Sequence, residues 1–227
     1  MRPNPFPGGL KVYPVQGRIT PVTAAAYTLS QASALAGLPL KAVQKLVDGR
    51  ILRPSRKRDG RKPQRYLTKE QVLYLRLEAE GVRLLPMAAR RQIAKAIEAA
   101  PQADTVHLGD GRAVVVQVKT ARLRVARDLA RMKKAEKMAV SDPEIMRGVP
   151  VFRGTRIPIE LVADMLDQGA TPSEIVAGYP SLDLEKIDLA QLYVRAFPRR
   201  GRPAQRPWAR RKPIRKLHKT PAAAKAR

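Results

Sequence analysis

The chain has 227 residues, with 45 Lys and Arg against 19 Asp and Glu, a formal charge of +26. An excess of that size reports on polyanionic partners rather than on fold, and nucleic acid, whose phosphates release counterions when neutralised, is the first candidate. The chain has no cysteine and two widely separated histidines, His107 and His218; that excludes disulfides, thiolate zinc sites and cysteine nucleophiles, and it leaves no spacing suited to a metal.

Residues 1–26 hold Pro3, Pro5, Pro7, Pro14 and Pro21 with little apolar periodicity. They are expected to form a flexible arm, because such a segment cannot bury enough apolar surface to offset its ordering entropy. Their apolar stretch is too short for a signal peptide. No run in the chain approaches the roughly 18 apolar residues of a membrane span. A cytoplasmic, nucleoid-associated protein with no membrane contact is expected.

Residues 27–82 form the first module. Thr28 or Ser30 can cap a helix running to Ala36, which Gly37 stops. Pro39 suits the first turn of a second helix, whose apolar face is Leu40, Val43, Leu46 and Val47. Lys41, Gln44 and Lys45 fall on the opposite face. Two short helices joined by a glycine-containing turn form a helix-turn-helix pattern, whose second helix enters the major groove. In "RPSRKRDGRKPQRY", Arg53, Arg56, Lys57, Arg58, Arg61, Lys62 and Arg65 surround Asp59-Gly60, a hairpin signal. Seven cations on one tight loop repel one another, and phosphate contact would relieve that. Thr68 then opens a third helix carrying Val72, Leu73, Leu75 and Leu77.

This order of helix, turn, helix, basic wing and capped helix resembles the MerR-like winged helix-turn-helix group over about 55 residues. The usual aromatic residues of the second helix are absent, and no metal- or drug-sensing segment follows. The resemblance therefore implies the scaffold and DNA binding, but not ligand sensing.

Residues 83–139 should hold a helix starting near Pro86, a β-hairpin around Gly109-Asp110-Gly111, and a helix from Thr120 to Met138. The last would carry Leu123, Ala126, Leu129 and Ala130 on its packed side, as a connector or dimerising helix.

Residues 140–197 differ in character. Residues 141–197 carry 9 acidic and 5 basic side chains, between two strongly basic regions. Val149, Val151 and Phe152 lead into Arg153-Gly154-Thr155, and Ile157 and Ile159 follow. This reads as strand, turn, strand, kept short or at an edge by Pro150 and Pro158, which lack donors. Three helices follow: Leu161 to Gln168, a second capped by Thr171 with Glu174 completing a capping box, and a third capped by Asp183. The last is led by Asp183, Glu185 and Asp188, a face that suits a protein partner better than phosphate. Residues 198–227 are proline-rich, with 12 basic residues and no acid. They form a basic tail expected to be disordered alone, with Trp208, Ile214 and Leu217 as possible anchors.

The stretch "DPEIMRGVPVFRGTRIPIELVADMLDQGATPSEIVAGYPSLDLEKIDLAQLYV" resembles the antitoxin family catalogued as domain of unknown function 433. The marks that carry it are Gly148, Pro150, Val151, Gly154, Thr155, Arg156, Ile157, Pro158, Gly169, Ser173, Glu174, Ile175, Tyr179, Pro180, Leu182, Leu192 and Tyr193. The resemblance implies a partner, a PIN-like toxin that is a metal-dependent ribonuclease encoded beside it. Phe152, Arg153, Thr155, Arg156, Tyr179 and Trp208 are the expected partner contacts. Arg153 and Arg156 could pair with a carboxylate of the partner, or Arg156 could tie the turn to Glu160 or Asp164.

The expected architecture is thus mainly α with small β-hairpins: a winged helix-turn-helix plus a C-terminal trihelical module with a short β-hairpin. The expected function is that of an antitoxin. It would bind operator DNA as a homodimeric autorepressor and neutralise a PIN-like toxin protein, without enzymatic activity, cofactor or metal. The alternative is a stand-alone DNA-binding regulator whose C-terminal module only dimerises.

Overall fold

The computed structural model describes residues 26–59, 62–108 and 114–199, without the side chains of Asp59 and Lys62. The described residues form eight α-helices and three small antiparallel sheets.

Strand β1 (Tyr27–Thr28) leads directly into α1 (Leu29–Ala36). Thr28 caps α1 reciprocally: its hydroxyl accepts from Gln31 N, while the Gln31 side chain accepts from Thr28 N. Gly37 ends the helix at φ 71, a left-handed conformation that glycine adopts without steric cost. Then comes α2 (Leu40–Asp48), followed by the wing strands β2 (Ser55–Asp59) and β3 (Lys62–Leu67), with β3 central between β1 and β2. Thr68 caps α3 (Lys69–Glu80) with the same device, here using Gln71. Gln71 is buried, and its amide also donates to Arg53 O at 3.0 Å and Glu98 Oε1 at 2.9 Å. One side chain therefore fixes the start of α3, the root of the wing and α4.

Helix α4 (Met87–Ala99) starts at Pro86, as its sequence requires. It is followed by the hairpin β4 (Thr105–Leu108) and β5 (Val114–Gln117), whose turn lies outside the described residues. The 20-residue α5 (Lys119–Met138) links the two halves of the chain. Its packed face matches the expected one only at Leu129. Ala121, Val125, Leu129, Met132 and Ala135 are buried, whereas Leu123 is 66% exposed and Ala126 and Ala130 face solvent. The buried stripe keeps helical spacing with small residues at both ends, so the helix seats closely. Leucine size alone pointed to the wrong side.

The small sheet of the C-terminal half also differs from expectation. Strand β7 (Val151–Phe152) pairs with β6 (Ala139–Val140), the residues that end α5, in the register Ala139↔Phe152 and Val140↔Val151. The returning arm makes only one bridge, Val151 to Pro158. Pro158 has no N–H to continue a ladder, and Ile159 already belongs to α6 (Ile159–Asp167), which starts two residues earlier than expected. Helix α7 (Pro172–Gly178) carries the expected Thr171–Glu174 capping box, and Asp183 caps α8 (Leu184–Ala196) by accepting from Lys186 N.

Two apolar cores result. The first gathers α1 to α5 and the two larger sheets. The second gathers the end of α5, β7 and α6 to α8 around Phe152, Ile159, Ile175 and Ile187. They are not independent beads. Helix α8 packs on α1, α5 and α6, Ala196 belongs to the first core, and Leu192 and Phe197 touch both.

A buried polar cluster braces the first core. The Tyr74 hydroxyl donates to Glu78 at 2.8 Å, and Arg90 holds the same carboxylate through Nε and Nη2. Burial first, then the bond to Glu78, push the Tyr74 pKa up, keeping the phenol a donor. Glu78→Ala leaves the part-buried Arg90 guanidinium with no counter-charge. With Arg90 only part-buried, and the buried Tyr74 hydroxyl losing its acceptor, the substitution is expected to cost about 1–3 kcal/mol of stability, read as a lowered urea midpoint.

Candidate nucleic-acid interface and partner surface

The expected DNA-facing residues emerge on the surface of α2 and the wing. Val43, Leu46 and Val47 are buried in the first core, where α2 packs on α1, which forces Lys41, Gln44 and Lys45 outward; all three are exposed. Arg53, Arg56 and Arg58 are exposed along the wing, and Lys57 is half-buried. The register puts Arg56 directly across from Arg65, a like-charge pair that a sheet disfavours. Arg65 is drawn aside by Asp48, the last residue of α2, at 2.9 Å. That ion pair fastens the wing to α2, so Arg65 acts as a brace more than as a free cation. Arg61 lies outside the described residues, as does the side chain of Lys62.

Two cations complete this face that sequence reasoning did not single out. Arg50, exposed at φ 57, follows α2 directly. Arg91 of α4 points at the same corner, its Nη2 lying 3.5 Å from Gly49 O. Arg50 adjoins the motif in sequence and could have been found; Arg91 is 42 residues away from Gly49, and no local pattern announces it.

The charge pairing distinguishes this face from the basic α5. Six of the eight cations of α5 are ion-paired: Lys119 and Arg122 with Asp104, Arg124 with Glu80, Arg127 with Asp128, Arg131 with Asp128 and Asp188, and Lys134 with Glu185. Among the described residues, Lys41, Lys45, Arg50, Arg53, Arg56, Lys57, Arg58 and Arg91 form no ion pair. The acids of α8 have partners within the chain: Asp188 and Glu185 bind Arg131 and Lys134 of α5 at 2.6 Å each, and Asp183 caps its own helix.

The expected partner contacts divide. Phe152 is fully buried at the centre of the second core and presents nothing to a partner. Thr155 is occupied internally: its hydroxyl donates to Phe152 O and accepts from Ile157 N, which closes the turn at Gly154. Arg153 is exposed, with Nε donating to Lys137 O at 2.9 Å. Arg156 is exposed and has no ion pair among the described residues; Glu160, proposed to hold it, pairs instead with Arg199 at 3.5 Å. Tyr179 is half-buried against the second core. Trp208, Ile214 and Leu217 lie outside the described residues.

Among the described residues no group of three or more His, Asp or Glu side chains could hold a metal ion, and no helix is long and apolar enough to cross a membrane.

Residues 140–194 match the family model described as "Protein of unknown function (DUF433)". The uncharacterized protein y4eO of Sinorhizobium fredii is 44% identical over 68 residues, which are 30% of this chain and 31% of that protein's length. The crystal structure of Rv2018 from Mycobacterium tuberculosis aligns over 73% of this chain and 96% of that one, at 16% identity and a TM-score of 0.28.

Phe152→Ala should act on folding, with a loss of about 3–5 kcal/mol read by thermal or urea unfolding. The surface substitution Arg153→Ala should leave the unfolding midpoint within about 0.5 kcal/mol of the parent.

Proposed function

We propose that the chain is a DNA-binding transcriptional regulator and antitoxin. In this reading residues 27–82 bind operator DNA as a homodimer on paired half-sites, and residues 140–197 bind and neutralise a PIN-like ribonuclease toxin. The observation that carries the DNA half is the set of unpaired cations. Eight of them lie on the outward face of α2, the turn after it, the wing and Arg91, while the basic α5 is largely neutralised within the molecule. Unpaired cations crowded on one face raise each other's energy, and a phosphate backbone removes that repulsion while releasing counterions. Lys41, Gln44 and Lys45 would meet base edges; the wing cations and Arg91 would hold phosphates. The antitoxin half rests on the sequence marks of residues 140–194 and their match to the unknown-function family.

Electrophoretic shift or anisotropy titrations with duplex DNA from upstream of the chain's own gene test the first half. Replacing Arg53, Arg56, Lys57 and Arg58 together by Ala should weaken binding at least tenfold. It should also flatten the dependence of log K on log salt by about one unit for each phosphate that the variant no longer neutralises. An unchanged slope would remove the wing from the interface. Co-expression with the product of the adjacent gene tests the second half: a stable complex is expected, and its absence would leave a DNA-binding regulator alone.

A further inference from the structure

Between β6 and β7 the chain folds back in a loop over residues 142–149 that is unusually constrained. Met146, Arg147 and Gly148 all have positive φ, at 50, 56 and 77. Only the glycine adopts that conformation at ease; two consecutive larger residues do so only where their surroundings hold them. The holding bonds are explicit. Ile145 N donates to Asp142 O at 2.9 Å, Gly148 N to the same carbonyl at 3.0 Å, and the Ser141 hydroxyl to Gly148 O at 2.7 Å. The result is a fixed wall facing the Gly154 turn across an open cleft of about 370 Å³.

The cleft is lined by Val140, Ile145, Val151, Gly154, Thr155 and Arg156. Its floor is aliphatic, and Met146 on the same wall is 43% exposed. Arg156 is its one charged lining residue, exposed and without an ion pair among the described residues. Of the described cations in this half of the chain, Lys186 and Arg199 are ion-paired, Arg153 donates to a backbone carbonyl, and Arg156 lines the cleft; Glu160 of α6 is paired with Arg199. Residues 141–197 are otherwise net acidic, so an unpaired guanidinium beside an apolar floor marks a local reversal of charge.

We infer that this cleft docks an extended acidic segment of a protein partner. An aliphatic side chain of that segment sits on Val140, Ile145 and Val151, and an adjacent carboxylate takes both arms of the Arg156 guanidinium. Nucleic acid is the poorer occupant: a phosphate backbone brings charge but no aliphatic group for the floor, and the surrounding module repels it. The inference rests on the reading that residues 140–197 bind a protein, and it names the surface and the chemistry of that contact.

The test is a selection of random peptides displayed on phage against the full chain, its basic faces saturated with random duplex DNA. Enriched peptides should carry Asp or Glu within two residues of an aliphatic side chain. They should bind Arg156→Glu at least tenfold more weakly than the parent, Arg156→Lys at an intermediate level, and the exposed control Lys133→Glu unchanged. Peptides without an acid, or equal affinity for Arg156→Glu, overturn the inference. So does an Arg156→Glu chain whose affinity for DNA falls more than twofold, since the cleft would then be part of the nucleic-acid surface. Co-purification separates this inference from the antitoxin reading. A complex with the adjacent gene product that survives Arg156→Glu overturns the cleft alone. Acidic peptides that no longer bind once Arg156 is Glu, with no complex formed, uphold the cleft and overturn the toxin as its partner.

Discussion

The architecture depends on the seam between α5 and α8. One helix runs out of the first core into the second, and the other runs back alongside it to lean on α1. Apolar contact supplies the adhesion: Leu192 and Phe197 serve both cores at once. The ion pairs Arg131–Asp188 and Lys134–Glu185 set the relative position of the two helices. Such partly exposed pairs add little stability each. Their larger effect is on charge, because they neutralise a helix that would otherwise be a strip of free cations.

That neutralisation sorts a very basic protein into faces with different tasks. Cations held by internal carboxylates cannot attract a polyanion strongly. Eight of those left unpaired lie on α2, the turn after it, the wing and α4, where Gln71 braces the wing from beneath and Arg65–Asp48 from its side. In the net acidic C-terminal module, Arg156 is an unpaired cation that also lines a cleft. Total charge conveys none of this.

Local chemistry was legible in the sequence where the cause was local. Gly37 after an apolar helical face, Pro86 before α4, and Asp183 and Thr171 as caps each act within four residues of themselves. The glutamines that complete the caps at Thr28 and Thr68 lie within the same reach. What could not be read depended on distant partners. The packed face of α5 is chosen by what it meets, and small residues that allow close approach look unremarkable in a string. The acids of α8 read as a surface for another protein, yet their partners are 51 and 57 residues earlier in the same chain. Phe152 was taken for a contact because it sits in a turn motif, although a large aromatic beside a tight turn is equally suited to anchor it from within.

The placement of α8 against α1 bears on how freely these units can be recombined. The stretch that matches the unknown-function family ends within α8, yet part of what α8 covers lies at the other end of the chain. Residues 140–199 grafted onto a foreign DNA reader would carry Leu192 and Phe197 with half of their surroundings gone. Such a chimera would hold its own core around Ile159 and Ile187 but present a bare apolar strip along one helix, and strips of that kind find each other in solution. The module is portable only together with a host whose first helix offers a matching shallow, small-residue face, as Ala34 and Leu35 border it here.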